Sequence, residues 1–158
     1  MSSKIEELQR KFNELQKELN ELKKQENDGM WIPKRGERYW HINGCGEVFY
    51  TINAFDQYDE KRFLIGNVFK TREEAEFAVE KLKVLAELKV FSEPKDREWD
   101  GENQHWYIMY NAPMDRVCTD CYRISQTNSI CFESKEKAQQ AIDAIGEDRI
   151  KKYYLEVE

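Results

Sequence analysis

Apolar positions follow two rhythms along this chain. At the start, Ile5, Leu8, Phe12, Leu15, Leu19 and Leu22 alternate spacings of three and four. That is the a/d frame of a coiled coil. The stripe is narrower than the face a helix turns toward a globular core. Ser3 with Glu6 supplies a capping box, and Asn27-Asp28-Gly29 supplies a stop. Three heptads do not hold a lone helix in water. Residues 1–28 therefore predict an oligomerisation helix, supported by a second chain or by the domain that follows. Only Glu18 with Lys23 pairs opposite charges in a parallel register, so strand number and orientation stay open.

Residues 29–37 read as a linker in which Pro33 ends any helical continuation and Trp31 plugs onto the domain. The rhythm then shortens to two. Residues 38–91 predict a first repeat. Tyr39-Trp40-His41-Ile42 is a strand, Gly44-Cys45-Gly46 a turn, and Glu47 to Asn53 a second strand with Val48, Tyr50 and Ile52 on one face. Phe55 to Lys61 reads as a polar loop, and Arg62 to Phe69 as a third strand with Gly66 as a bulge. Thr71 with Glu74 caps a helix whose buried stripe is Ala75, Ala78, Val79, Leu82 and Leu85. Residues 92–103 are a polar linker with Trp99 as its anchor. Residues 104–158 predict a second repeat and a tail. His105 to Tyr110, Arg116 to Ile124 and Ser129 to Phe132 are strands. Ser134 caps a helix that buries Ala138, Ala141, Ile142 and Ile145 and stops at Gly146. In the tail from Arg149, Ile150, Tyr153, Tyr154 and Val157 fit a helix and Tyr153, Leu155 and Val157 a strand; a closing strand or extended segment is expected.

The two repeats echo each other. Phe69-Lys70-Thr71-Arg72-Glu73-Glu74-Ala75 is answered by Phe132-Glu133-Ser134-Lys135-Glu136-Lys137-Ala138 at an offset of 63 residues, and the match continues through Ala78/Ala141, Val79/Ile142 and Leu82/Ile145. One supersecondary unit used twice gives an α+β fold: an N-terminal coiled-coil helix followed by tandem βββα repeats, with antiparallel sheet and helices on one face.

Composition narrows the class. With 40% hydrophobic and 13% aromatic residues, the 158-residue chain can bury a core. At 35% charged residues and a mean hydropathy of -0.88, its surface is very polar. No apolar run approaches the roughly 20 residues that span a bilayer, and Met1-Ser2-Ser3-Lys4 opens no apolar signal core. A cytoplasmic protein with no membrane contact is expected. A net charge of -6 argues against a general nucleic-acid coat.

Candidate chemistry is sparse. Cys118-Thr119-Asp120-Cys121 lacks a second ligand pair for zinc and sits in a predicted strand rather than at the helix N-terminus a redox CxxC wants. His41 and His105 have no nucleophile or acid motif beside them. The loop carboxylates match no calcium loop. No catalytic residue, metal or cofactor is expected. The aromatics are more suggestive. Tyr39, Phe49 and Tyr107, placed on the sheet face away from the helices beside Arg38, Arg62, Arg116 and Arg123, would form an aromatic and basic binding surface. Such a face suits a protein interface or the stacking of a nucleotide or nucleic acid.

Gly66-Asn67-Val68-Phe69-Lys70-Thr71-Arg72-Glu73-Glu74-Ala75-Glu76, followed by Leu82-Lys83-Val84, together with the leucine heptad and Gly36-Glu37-Arg38-Tyr39, resembles a broad set of uncharacterised small phage and prophage proteins of Firmicutes. The resemblance covers nearly the whole chain. Its motifs are structural and carry over no functional residue. The second repeat departs from the pattern, with Ser134 and Lys137 in place of Thr71 and Glu74. The resemblance implies phage origin. By analogy with small phage accessory proteins it implies an anti-CRISPR-like inhibitor of a host defence system. Such a protein would be a homo-oligomer through the N-terminal helix and would bind a host protein. Sequestration of a small nucleotide signal is the alternative.

Overall fold

The computed structural model describes residues 11–12, 31–123 and 129–157. The heptad positions Ile5, Leu8, Leu15, Leu19 and Leu22 lie outside the described residues. Phe12 lies inside them, helical and 61% exposed. The described chain is α+β and divides into two compact units, the first ending at Ala75 and the second beginning at Glu76.

The first unit is built on a hairpin. Strand β1 (Arg38–Ile42) pairs antiparallel with β2 (Val48–Ile52), from Arg38 opposite Ile52 to Ile42 opposite Val48. Asn43 makes the turn: its side-chain oxygen accepts from the backbone N–H groups of Cys45 at 2.8 Å and Glu47 at 2.9 Å. Gly46 takes the left-handed φ of 79° that the reversal requires. Pro33 is buried, and its carbonyl accepts from the Asn53 side-chain amide at 2.6 Å, which ties the incoming chain to the end of β2. Trp31 packs on the small core formed by Tyr39, Phe63 and Val68, as the sequence suggests.

The expected polar loop at 55–61 and third strand at 62–69 are not what forms. Gln57–Leu64 is a helix, α1. Asp56 is its N-cap in a reciprocal capping box with Asp59. Its end is a Schellman stop, with Gly66 N–H donating to Phe63 O at 3.1 Å and Asn67 N–H to Arg62 O at 2.9 Å. Gly66, at φ 70°, is thus a helix terminator and not a strand bulge. The two caps define a short helix that drops Phe63 into the core, and that burial outweighs the weak strand pattern of Arg62 to Phe69. The third strand shrinks to one bridge, Trp40 opposite Phe69, with both backbone hydrogen bonds at 2.9 Å. Next to it the Asn67 side chain stands in for a strand residue. Its oxygen accepts from Ile42 N–H at 2.8 Å and its amide donates to Ile42 O at 2.7 Å.

Helix α2 (Arg72–Phe91) opens with the expected box. Thr71 Oγ1 accepts from Glu74 N–H at 3.1 Å, and the Glu74 carboxylate accepts from Lys70 N–H at 2.8 Å. Ala75 is fully buried in the first unit. Ala78, Val79 and Leu85 are half-buried, Leu82 is exposed, and the fully buried positions are Val84 and Leu88, which belong to the core of the second unit.

In the second unit β3 (His105–Asn111) is the middle strand, flanked by β4 (Arg116–Tyr122) and β5 (Cys131–Phe132), both antiparallel to it. A short 3-10 turn (Ala112–Met114) joins β3 to β4, and Asp115 adopts a left-handed φ of 45°. Ser134 caps α3 (Lys135–Ile145), its hydroxyl accepting from Lys137 N–H at 3.2 Å. Ala138, Ala141, Ile142 and Ile145 are buried as read from the sequence. They pack with Ile108, Val117 and Phe132 from the sheet and with Val84 and Leu88. The tail is not a strand. Glu147–Arg149 (α4) and a π-helical turn at Ile150–Tyr154 follow Gly146. Helical spacing buries Ile150, sets Tyr153 against Phe77 with ring centroids 5.1 Å apart, and lets the Tyr154 hydroxyl accept from Ile130 N–H at 3.2 Å. A strand would place Tyr153 and Tyr154 on opposite sides.

Candidate binding surface

Alternation along β1 and β2 sorts the first unit's aromatics. Tyr39 and His41 face inward and are buried. Arg38, Trp40 and Ile42, opposite Ile52, Tyr50 and Val48, share the outer face. Tyr50 is 55% and Ile52 57% exposed. The Trp40 and Tyr50 rings meet edge to face at 5.6 Å, and the Arg38 guanidinium lies 4.5 Å above the Tyr50 ring centroid. The result is a contiguous apolar and aromatic face with one cation on it. Patches of this kind on a soluble domain mark contact sites.

The sequence had the right residue types and the wrong parity. Tyr39 is not a surface residue. Its hydroxyl donates to Asp59 Oδ1 at 2.5 Å and accepts from Arg62 Nη1 at 3.0 Å. Asp59 is buried, accepts from Ala54 N–H at 2.9 Å and faces Arg62 at 3.6 Å. Arg62 is therefore part of a structural triad under the sheet. Burial, then the hydrogen bond to Asp59, pushes the Tyr39 hydroxyl up to about 12. Burial alone would raise the Asp59 carboxyl, but the Tyr39 hydroxyl and the N–H groups of Ala54 and Asp56 outweigh it and hold its pKa below the ordinary range. Burial, then the Arg62 charge, lowers His41. Phe49, also named from the sequence, is 49% exposed but shares the inner parity of His41.

The other three predicted residues belong to the second unit. Tyr107 stacks flat on Tyr122, with centroids 4.3 Å apart and planes 6° off parallel. Arg116 and Arg123 are exposed, at the start of β4 and just beyond its end. Cys118 and Cys121 lie three residues apart on one strand and so point to opposite faces, which separates the two thiols. Among the described residues no group of three or more His, Cys, Asp or Glu side chains is placed to hold a metal ion. His105 is fully buried under the 92–103 segment: Trp99 stacks on it at 3.6 Å, Glu93 Oε1 is 2.6 Å from Nδ1, and the Glu98 carbonyl is 3.2 Å from Nε2. Both ring nitrogens are engaged, which fits a structural role. The anchor function read for Trp99 is met here.

The missed signal was parity. Val48, Tyr50 and Ile52 were read as one face, and the register that pairs them with Trp40 and Arg38 makes that face the outer one. Among the described residues no helix is long and apolar enough to cross a membrane. No known family pattern, curated protein or solved structure matches the chain.

Proposed function

We propose that this chain is a non-enzymatic, self-associating binding protein of phage origin. It inhibits a bacterial host defence system, in the manner of an anti-CRISPR, by covering a surface of a host protein in the cytoplasm. The observation that supports binding is the outer face of the β1–β2 hairpin, where Trp40, Tyr50 and Ile52 expose apolar area around the Arg38 cation. Aromatic residues and Arg are the side chains that concentrate binding energy in protein interfaces. Arg38 already caps one side of the Tyr50 ring, which favours a protein partner with a carboxylate over a stacked base.

Self-association rests on Ile5, Leu8, Phe12, Leu15, Leu19 and Leu22. We also infer that one supersecondary unit has been used twice, with α1 inserted in the first copy. The matching pairs Trp40 with Phe69 and Trp106 with Phe132 support this.

The test is a phage challenge. The full chain is expressed in bacteria that carry active CRISPR–Cas systems of several types, and plating of a targeted phage is scored. Wild type is expected to restore plating against one type, and to form a stoichiometric complex with its purified effector. Tyr50→Ser with Ile52→Ser is expected to abolish both while leaving the circular dichroism spectrum intact. Failure of the wild type against every type, or full activity of the double variant, overturns the reading.

A further inference from the structure

A cleft of about 600 Å³ lies in the second unit, beside the buried His105 cluster, and shares no residue with the hairpin face. Its size falls within the range of small-ligand sites. Three cations line it: Lys89 at the end of α2, and Lys95 and Arg97 from the segment that follows. Their only acidic neighbour in the lining is Glu93, whose carboxylate is already shared between His105 at 2.6 Å and Arg97 at 3.4 Å. Neither Lys89 nor Lys95 has an ion-pair partner among the described residues. Arg97 is held in place. One terminal nitrogen donates to the carbonyls of Gln104 at 3.3 Å and Glu133 at 3.5 Å, and its Nε faces the Glu93 carboxylate at 3.4 Å. Trp99 completes the wall, its indole fixed by stacking on His105, with planes 8° off parallel.

A local surplus of positive charge on a chain of net charge -6 calls for an anion. Two exposed lysines and an oriented guanidinium suit a phosphate group. A rigid indole held alongside them suits a flat ring. We propose that this cleft binds a nucleoside phosphate, with the phosphate met by Lys89, Lys95 and Arg97 and the base set against Trp99. The site is independent of the hairpin face, so either can fail without the other.

The experiment is calorimetric titration of the full chain with the four ribonucleoside monophosphates, ribose 5-phosphate and inorganic phosphate. At least one nucleotide is expected to bind saturably at one site per chain, with inorganic phosphate and ribose 5-phosphate weaker by tenfold or more. Lys89→Ala with Lys95→Ala changes only exposed side chains, and is expected to weaken the nucleotide about tenfold. Trp99→Leu is expected to erase the preference for nucleotide over ribose 5-phosphate. No saturable binding overturns the proposal, as does binding that the double variant leaves unchanged. Inorganic phosphate binding as tightly as every nucleotide reduces the cleft to a bare anion site and overturns the nucleoside assignment.

Discussion

The two units differ in how they are held. The first is built on a two-stranded hairpin with one added bridge, Trp40 to Phe69, and the second on a three-stranded sheet in which Trp106 pairs with Phe132. The second unit gathers buried residues from α2, the sheet, α3 and the tail into one apolar core. Among the described residues the core cluster of the first is Tyr39, Phe63 and Val68, with Trp31 beside them, while Tyr50, Ile52, Phe55, Leu64 and Ile65 are exposed. Part of its cohesion comes from the Tyr39–Asp59–Arg62 triad instead. A unit that buries little and exposes much is the one expected to gain from a partner, because contact there supplies burial the fold lacks.

The contrast predicts unequal responses to core truncation. Phe132 is fully buried at the junction of β5, β3 and α3, and Phe132→Ala should cost about 3–5 kcal/mol, the range for a large aromatic in a packed core. Phe63→Ala should fall at or below the low end of that range, since a three-residue core collapses around the gap more readily. Native-state hydrogen exchange, read separately in β3 and β1, checks both. Equal costs would mean that the first unit is packed as tightly as the second.

Tyr39→Phe comes next. It keeps the ring, removes a donor from a buried carboxylate, and should cost about 1–3 kcal/mol, expressed in the first unit. The same triad gives the first unit a pH dependence at both extremes. Tyr39 has a folded pKa of about 12, above its ordinary 10.0. Its contribution is therefore complete below 10 and is lost as pH rises from 10 toward 12. Asp59 is depressed in the fold, so its contribution is present above its ordinary 3.8 and is lost as pH falls below that value. Protection of β1 amides should fall at both extremes. In Tyr39→Phe the alkaline loss should vanish and the acid loss shrink, because the Tyr39 hydroxyl is the largest of the groups that hold Asp59 down. An unchanged alkaline loss would place its source elsewhere.

The second unit was also the more legible from sequence, and for the same reason. Its three strands and α3 are bounded by strong local signals, and only the tail, which fits two periods, turns out helical instead of extended. Ser134 and Gly146 bracket α3, and all four inward positions followed from helical spacing. In the first unit, tertiary context decides. Asp56-x-x-Asp59 followed by Gly66 is a capping box and a glycine stop, yet the few apolar residues between them read as loop and strand. In the second unit, Leu82 fits the amphipathic stripe of α2 but is exposed, because that helix turns Val84 and Leu88 to the core. At the candidate surface, period two correctly grouped Val48, Tyr50 and Ile52. Which face turns outward depends on where α1 lies, and a missed helix inverted the assignment of Tyr39 and Arg62.

The smallest expected effect tests whether charge adds to the second unit's advantage. Arg149 grips Glu87 with two nitrogens, at 2.8 and 3.0 Å, and so ties the tail to α2. The Arg149 hydrogen bonds, against a small opposing effect of burial, lower Glu87. Both side chains are more than a third exposed, and water screens such a pair. A double-mutant cycle with Arg149→Met and Glu87→Gln should give a coupling of about 0.2–1 kcal/mol that shrinks in high salt. A larger, salt-insensitive coupling would show that the pair holds the second unit together as the triad holds the first. The difference between the units would then no longer be one of apolar burial alone.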